Sequence, residues 1–131
     1  MPSEFDSIFA RLRSILQKHA GTLSVSEDTA TAYGVAGLTG PATVKSWGGK
    51  MKKPTIPVAW VQIGKAYVSY HLMGVGGNAK LAAGMSPRLK ARMQGKTCFN
   101  FTVADEDLFA ELDRLTAESI TGFRKAGFIT T

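Results

Sequence analysis

The sequence predicts a single α+β domain, an antiparallel sheet with N- and C-terminal helices packed mainly on one face. Three observations predict this class. Amphipathic helical patterns lie near both ends of the chain, two β-rich runs flank a tight turn in the middle, and strands and helices come in mixed order. The length of 131 residues fits one domain over residues 1–131.

The first predicted element is a helix over residues 4–20. Ser3 and Asp6 resemble a helix start, because a serine caps free amides and an acid favours the positive end of the helix dipole. Apolar side chains then recur every three or four residues, and Gly21 is a typical helix stop. Further along, residues 33–38 are compatible with a strand.

A hairpin over residues 57–73 is the clearest local pattern. Its two β-rich runs flank Gly64-Lys65, and we expect a primed turn in which Gly64 takes a positive φ. That turn pairs Trp60 with Ser69 and Val58 with His71. Apolar and mixed polar side chains alternate along both strands, so one sheet face is predicted to meet the core and the other to carry polar and aromatic groups.

Three elements are predicted for the last third of the chain. Ser86-Pro87 is a typical helix entry, and we expect that helix to run to about Gln94 and to stop at Gly95. Residues 97–101 alternate as a half-buried strand does. A long amphipathic helix is then predicted from residue 105 to about residue 126.

Charge is distributed unevenly. The formal charge is +6, but residues 45–104 contain ten cations and no carboxylate. Paired carboxylates for acid–base catalysis, or an oxygen cage for a hard metal, therefore cannot come from this stretch. Two interpretations of its cations remain: they pair with the acidic last helix or are solvated, or they form a surface for nucleic acid, phosphate or an acidic protein.

Composition excludes several classes of protein. A single cysteine excludes an internal disulfide framework and a multi-cysteine zinc site, and no apolar run approaches the roughly 20 residues that span a bilayer. The N-terminal residues do not resemble a secretory signal. We therefore expect a cytoplasmic chain without membrane association, a monomer or small homo-oligomer, with no cofactor.

Two longer motifs carry a family resemblance. Residues 64–73 (GKAYVSYHLM) and residues 86–101 (SPRLKARMQGKTCFNF), followed by a helix rich in Leu and Phe, resemble the YdhG-like family of small bacterial domains of unknown function. The resemblance implies an architecture similar to frataxin, and some members are described as intracellular iron chaperones. It implies no catalytic residues.

A ligand site is predicted on the polar face of the sheet, because aromatic platforms beside hydrogen-bonding groups are typical of small-ligand and nucleobase sites. Cys98 and Asn100 join this face if their strand neighbours the hairpin in phase. Cations at the following helix are expected nearby. The candidate ligand-binding residues are Trp60, Tyr67, Ser69, His71, Arg88, Arg92, Lys96 and Asn100.

Four other interpretations stay open. The polar face is covered by residues 22–56 as a second core layer, or His71, Cys98 and Asn100 form a thiol catalytic group. Iron binding follows from the family resemblance, although the first helix offers only Glu4 and Asp6 as acids. The basic loop of residues 45–53 and the cations up to Lys96 favour nucleic acid. The leading prediction is a non-enzymatic binding module for an anionic or small polar ligand.

Overall fold

The structure is a computed structural model that describes residues 4–21, 23–41, 45, 55–76, 79–95 and 97–130. In chain order its elements are α1 (Glu4–His19), β1 (Ser24–Asp28), β2 (Ala32–Leu38), β3 (Thr55–Ile63), β4 (Val68–Leu72), α2 (Met73–Gly76), α3 (Ala79–Ala83), α4 (Pro87–Lys90), β5 (Met93–Gln94), β6 (Cys98–Phe101) and α5 (Glu106–Lys125). No helix in these ranges is both long and apolar enough to cross a membrane.

The six strands form one antiparallel sheet in the order β1-β2-β3-β4-β6-β5. Helix α1 packs on β3 and β4 and also contacts α5. The predicted α+β layout, with N- and C-terminal helices on an antiparallel sheet, is confirmed. The two long helices begin and end within one or two residues of their predicted limits.

The core lies between the two long helices and one face of the sheet. A row of inward side chains crosses four strands in register, from Tyr33 through Val61 and Tyr70 to Phe99, and all four are buried. From the helices, Leu12, Leu16, Phe109 and Leu112 meet this row as part of the same buried cluster. Burying these apolar side chains is the main favourable contribution to folding.

Ion pairs join the surface of α1 to α5. Arg11 forms a salt bridge with Glu106, and the Lys18 ammonium lies 3.0 Å from the Asp113 carboxylate. The His19 Nε2 atom is 2.5 Å from the same carboxylate. Burial would raise the pKa of Asp113, but the hydrogen bonds from His19 and Lys18 outweigh it and hold that pKa below its usual value.

The predicted hairpin is present, but its predicted turn and register are wrong. Trp60 pairs with His71 rather than with Ser69, a shift of two residues that leaves both rings on their predicted face. Val58, predicted on the same face, is buried in the core instead, because the β2–β3 register skips it. The backbone N–H of Gly64 donates to the Tyr67 carbonyl at 2.9 Å, so the turn centres on residues 65 and 66. Gly64 does not take a positive φ. The shift lets the Trp60 ring meet the His71 ring.

The helix after Ser86 is shorter than predicted. Ser86 is its N-cap, as expected, and its Oγ accepts the Leu89 N–H. The helix ends at Lys90, and Met93 and Gln94 form a strand because the chain there pairs with β6. The Glu111 side chain of α5 accepts hydrogen bonds from the N–H and the hydroxyl of Ser86, which fixes α4 against α5.

One buried hydrogen bond links the sheet to α5. The hydroxyls of Tyr70 and Thr116 lie 2.6 Å apart, both side chains are fully buried, and burial raises the pKa of Tyr70. A buried polar group that loses its partner is destabilising by about 1–3 kcal/mol.

Thr116→Val is therefore expected to lower the free energy of unfolding by about 1–3 kcal/mol, because the Tyr70 hydroxyl is left buried without this partner. Urea denaturation measures the change. Tyr70→Phe should lower the free energy of unfolding less in the Thr116→Val variant than in the wild type, because the double variant buries neither hydroxyl. Strictly additive single changes would contradict a direct interaction.

Candidate functional site

The outward face of the sheet, opposite the helices, carries polar and aromatic side chains. One outward row crosses all six strands in register through Glu27, Gly34, Trp60, His71, Cys98 and Gln94. A second row holds Gln62, Ser69 and Asn100. Strand alternation places both rows on this face, because the residues between them point into the core. Cys98 and Asn100 thus join the hairpin face in phase.

Trp60 and His71 form a stacked pair at the centre of this face. Their ring centroids lie 4.5 Å apart and their planes differ by 11°. Directly opposite side chains on neighbouring strands approach closely, so the observed register produces the stack. Such aromatic pairs contribute about 0.5–1.5 kcal/mol beyond the area they bury, so the stack holds both rings in defined orientations.

A chain of hydrogen bonds continues from His71 to the edge of the sheet. Cys98 Sγ lies 3.8 Å from His71 Nε2 and donates to Asn100 Oδ1 at 3.3 Å. The Asn100 amide donates to Gln94 Oε1 at 2.7 Å. The Tyr67 hydroxyl reaches the same oxygen at 3.4 Å. These contacts preorganise five polar side chains from four segments of the chain.

A groove of about 540 Å³ lies over this part of the face. We call it the polar groove, and its lining residues are Gln62, Gly64, Lys65, Ala66, Tyr67, Ser69, His71, Gln94 and Cys98. The described lining residues include one ammonium group, that of Lys65, and no carboxylate. Amide, hydroxyl and imidazole groups supply both donors and acceptors, so the groove suits a neutral polar ligand or one with a single negative charge.

Burial acts on the ionisation of the thiol and the imidazole of this face. It raises the pKa of the Cys98 thiol and lowers the pKa of the His71 imidazole. Both shifts favour the neutral forms, whereas a nucleophilic cysteine reacts as its thiolate, usually beside a cation.

Arg88 and Arg92 do not reach the polar groove. They line a separate groove of about 260 Å³ whose apolar wall includes Phe101 and Leu108 from the inward side. Arg88 forms an ion pair with Asp105, the N-cap of α5. This pairing agrees with the interpretation that cations of the central stretch pair with the last helix. Lys96 lies outside the described residues.

Part of the segment that was expected to cover the polar face belongs to the sheet instead. Strands β1 and β2, which fall within residues 22–56, extend the sheet beside β3 instead of lying across its polar face. Residues 42–44 and 46–54 lie outside the described residues, and most of the predicted basic loop lies with them. A covering layer formed by β1 or β2 is therefore excluded.

The described residues contain no group of three or more His, Cys, Asp or Glu side chains that could hold a metal ion. Glu4, which was considered for iron, and Glu106 of α5 both have protein partners. Glu4 accepts the backbone N–H of Ala104, and Glu106 pairs with Arg11. These two carboxylates therefore make contacts within the protein.

No protein-family model, no curated protein and no solved structure matches this chain.

Sequence patterns missed two residues of the groove. Gln94 was predicted at the end of a helix, yet it lies in β5 and accepts hydrogen bonds from two side chains. Gly95, with a φ of 78°, allows the turn that brings β5 back against β6. Lys65 was assigned only to the turn, and the register shift was needed to place it at the mouth of the groove.

The lowered pKa of His71 makes stability depend on pH in a defined direction. The unfolded imidazole takes up a proton near pH 6.5 and the folded one only at lower pH, so the unfolded state binds more protons between these values. We expect the free energy of unfolding to fall as pH decreases through this window. His71→Gln should flatten that part of the profile.

The imidazole proton resonances of His71 measure its pKa directly. The chain has two histidines, so a His19→Gln variant leaves only the His71 signals. A midpoint at or above 6.5 would contradict the effect of burial on this side chain.

Proposed function

We propose that this chain is a non-enzymatic binding module that holds a small polar or singly anionic ligand in the polar groove. The observation that carries the proposal is the hydrogen-bonded series Tyr67, Gln94, Asn100 and Cys98 beside the Trp60–His71 stack. Aromatic surfaces next to preorganised donors and acceptors are typical of sites for small planar ligands. A cytoplasmic location and membership of the YdhG-like family are part of the same proposal.

The electrostatic character of the groove narrows the ligand class. Lys65 is the one ionic group among its described lining residues, and the lowered pKa of His71 favours the neutral imidazole at neutral pH. A polyanion would meet little compensating charge in this groove. One carboxylate or phosphate beside Lys65, joined to an uncharged planar portion near His71, fits the lining better.

The two alternatives have less support from the described residues. An iron chaperone needs several oxygen ligands close together, and no such cluster occurs there. A nucleic-acid surface needs cations that are not already neutralised, and Arg88 pairs with Asp105.

The proposal is tested by recording backbone amide resonances during titration with nicotinamide and nicotinate. These probes share a planar ring and differ by one negative charge. We expect resonances of residues 65–71 and 94–100 to shift. Gln94→Ala should weaken the binding of both probes by roughly two- to tenfold, since a neutral hydrogen bond contributes about 0.5–1.5 kcal/mol. Gln17→Ala, on the exposed side of α1, is the matched control.

Lys65→Gln tests how much the positive charge of Lys65 contributes to binding. It should weaken nicotinate by about two- to fivefold, as expected for an exposed ion pair, and leave nicotinamide unchanged. Arg92→Gln removes the same charge outside the polar groove and should affect neither probe. If a panel extended to uridine and uridine 5′-monophosphate shifts no resonance of the groove, the proposal is wrong.

A further inference from the structure

A second cavity lies on the other side of Trp60 from the polar groove. Its volume is about 410 Å³. We call it the Trp60 slot, and its lining residues are Ser26, Glu27, Pro57, Trp60 and Gln62. It shares only Gln62 with the polar groove, and its other lining comes from strands β1 and β3.

Gly34 creates the floor of this slot. It lies between Glu27 on β1 and Trp60 on β3 in the outward row. A Cβ atom at this position would lie 3.0 Å from the Ser26 hydroxyl and 3.0 Å from Trp60 Cβ, so any side chain would fill the space between them. The absence of a side chain at Gly34 leaves a gap open to the outward face.

A planar ring can lie on the indole of Trp60 above this gap. At the floor, the Ser26 hydroxyl and Trp60 Cβ are at most about 6 Å apart, since each lies 3.0 Å from the Cβ position at Gly34. A ring held between two walls needs about 3.5 Å on each side, so the ring contacts Trp60 with one face and leaves its edge free to pair with Glu27. Trp60 presents a flat wall, because one face of its indole is stacked on His71 and the other is turned towards β2.

A β-bulge brings two polar side chains to the opposite wall. The register of β1 shifts between Val25 and Glu27, so Ser26 is the extra residue, and both Ser26 and Glu27 line the slot. Glu27 is exposed and has no hydrogen bond or ion pair with another described residue. A carboxylate with both oxygens available pairs best with two parallel N–H donors.

We propose that the Trp60 slot binds a planar heterocycle that presents two adjacent N–H donors, of which guanine is the common biological example. The ring stacks on Trp60 and its N–H edge pairs with Glu27. Base stacking on aromatic side chains and hydrogen bonding to the base edge are the usual means by which proteins hold an unpaired base. The base can come from a free nucleoside or from a single-stranded RNA.

The test uses Trp60 as the reporter. The chain has two tryptophans, so a Trp47→Phe variant leaves Trp60 as the fluorophore. Guanosine is expected to quench its emission. Inosine lacks the exocyclic amine and so one of the two N–H donors, and should bind at least about tenfold more weakly, because hydrogen bonds to charged groups are the strong ones. Adenosine should bind no better than inosine.

Glu27→Gln should weaken guanosine at least about tenfold and leave inosine much less affected. The matched control is Asp28→Asn, which removes the same charge from the next residue of β1. Asp28 pairs with Tyr33, an inward residue, so it belongs to the opposite face of the strand. This control should leave guanosine affinity unchanged.

Three results would overturn the proposal: no quenching of Trp60 by guanosine, equal affinities for guanosine and inosine, or equal losses from Glu27→Gln and Asp28→Asn.

A guanine trinucleotide identifies the source of the base. Tighter binding than guanosine with the same dependence on Glu27 indicates RNA, and equal binding indicates the nucleoside. Gln94→Ala lies outside this slot, so failure here is distinguishable from failure of the polar groove.

Discussion

The alternation of side chains along β3, β4 and β6 is the constraint on which both the core and the site depend. Val61, Tyr70 and Phe99 must face α1 and α5 to be buried, and a strand sends successive side chains to opposite faces. The residues between them are therefore placed together on the outward face. Stability and the polar surface follow from one pattern, because a one-residue slip of any strand would exchange the two faces.

This pattern explains why the sequence predicted the face but not its pairing. Period-two alternation assigns Trp60 and His71 to one side in any register that differs by two residues, so the face was correct even though the turn was misplaced. The register itself depends on contacts between strands in three dimensions, which the local pattern does not contain. Likewise, β1 was not recognised because all five of its residues are exposed, so it carries no apolar periodicity.

Pairing between strands distant in sequence also explains why Arg88 and Arg92 do not line the polar groove, where they were expected. Arg88 follows a helix entry that the sequence located correctly, but the chain turns into β5 within a few residues because β6 offers it a hydrogen-bonding edge. That early end of α4 keeps Arg88 beside the start of α5, where Asp105 is available. The excess of cations is visible in the sequence, but the pairing of Arg88 with Asp105 is not. Ion pairs between elements that are distant in sequence depend on the fold.

The outward face is divided by the Trp60–His71 stack into two cavities of opposite charge. Lys65 lies at the polar groove and Glu27 at the Trp60 slot, while Gln62 lines both. Because the two rings are stacked on each other, a ligand that displaces one of them disturbs the wall of the other cavity. The two proposed sites therefore share one wall, and both depend on the same orientation of the two rings.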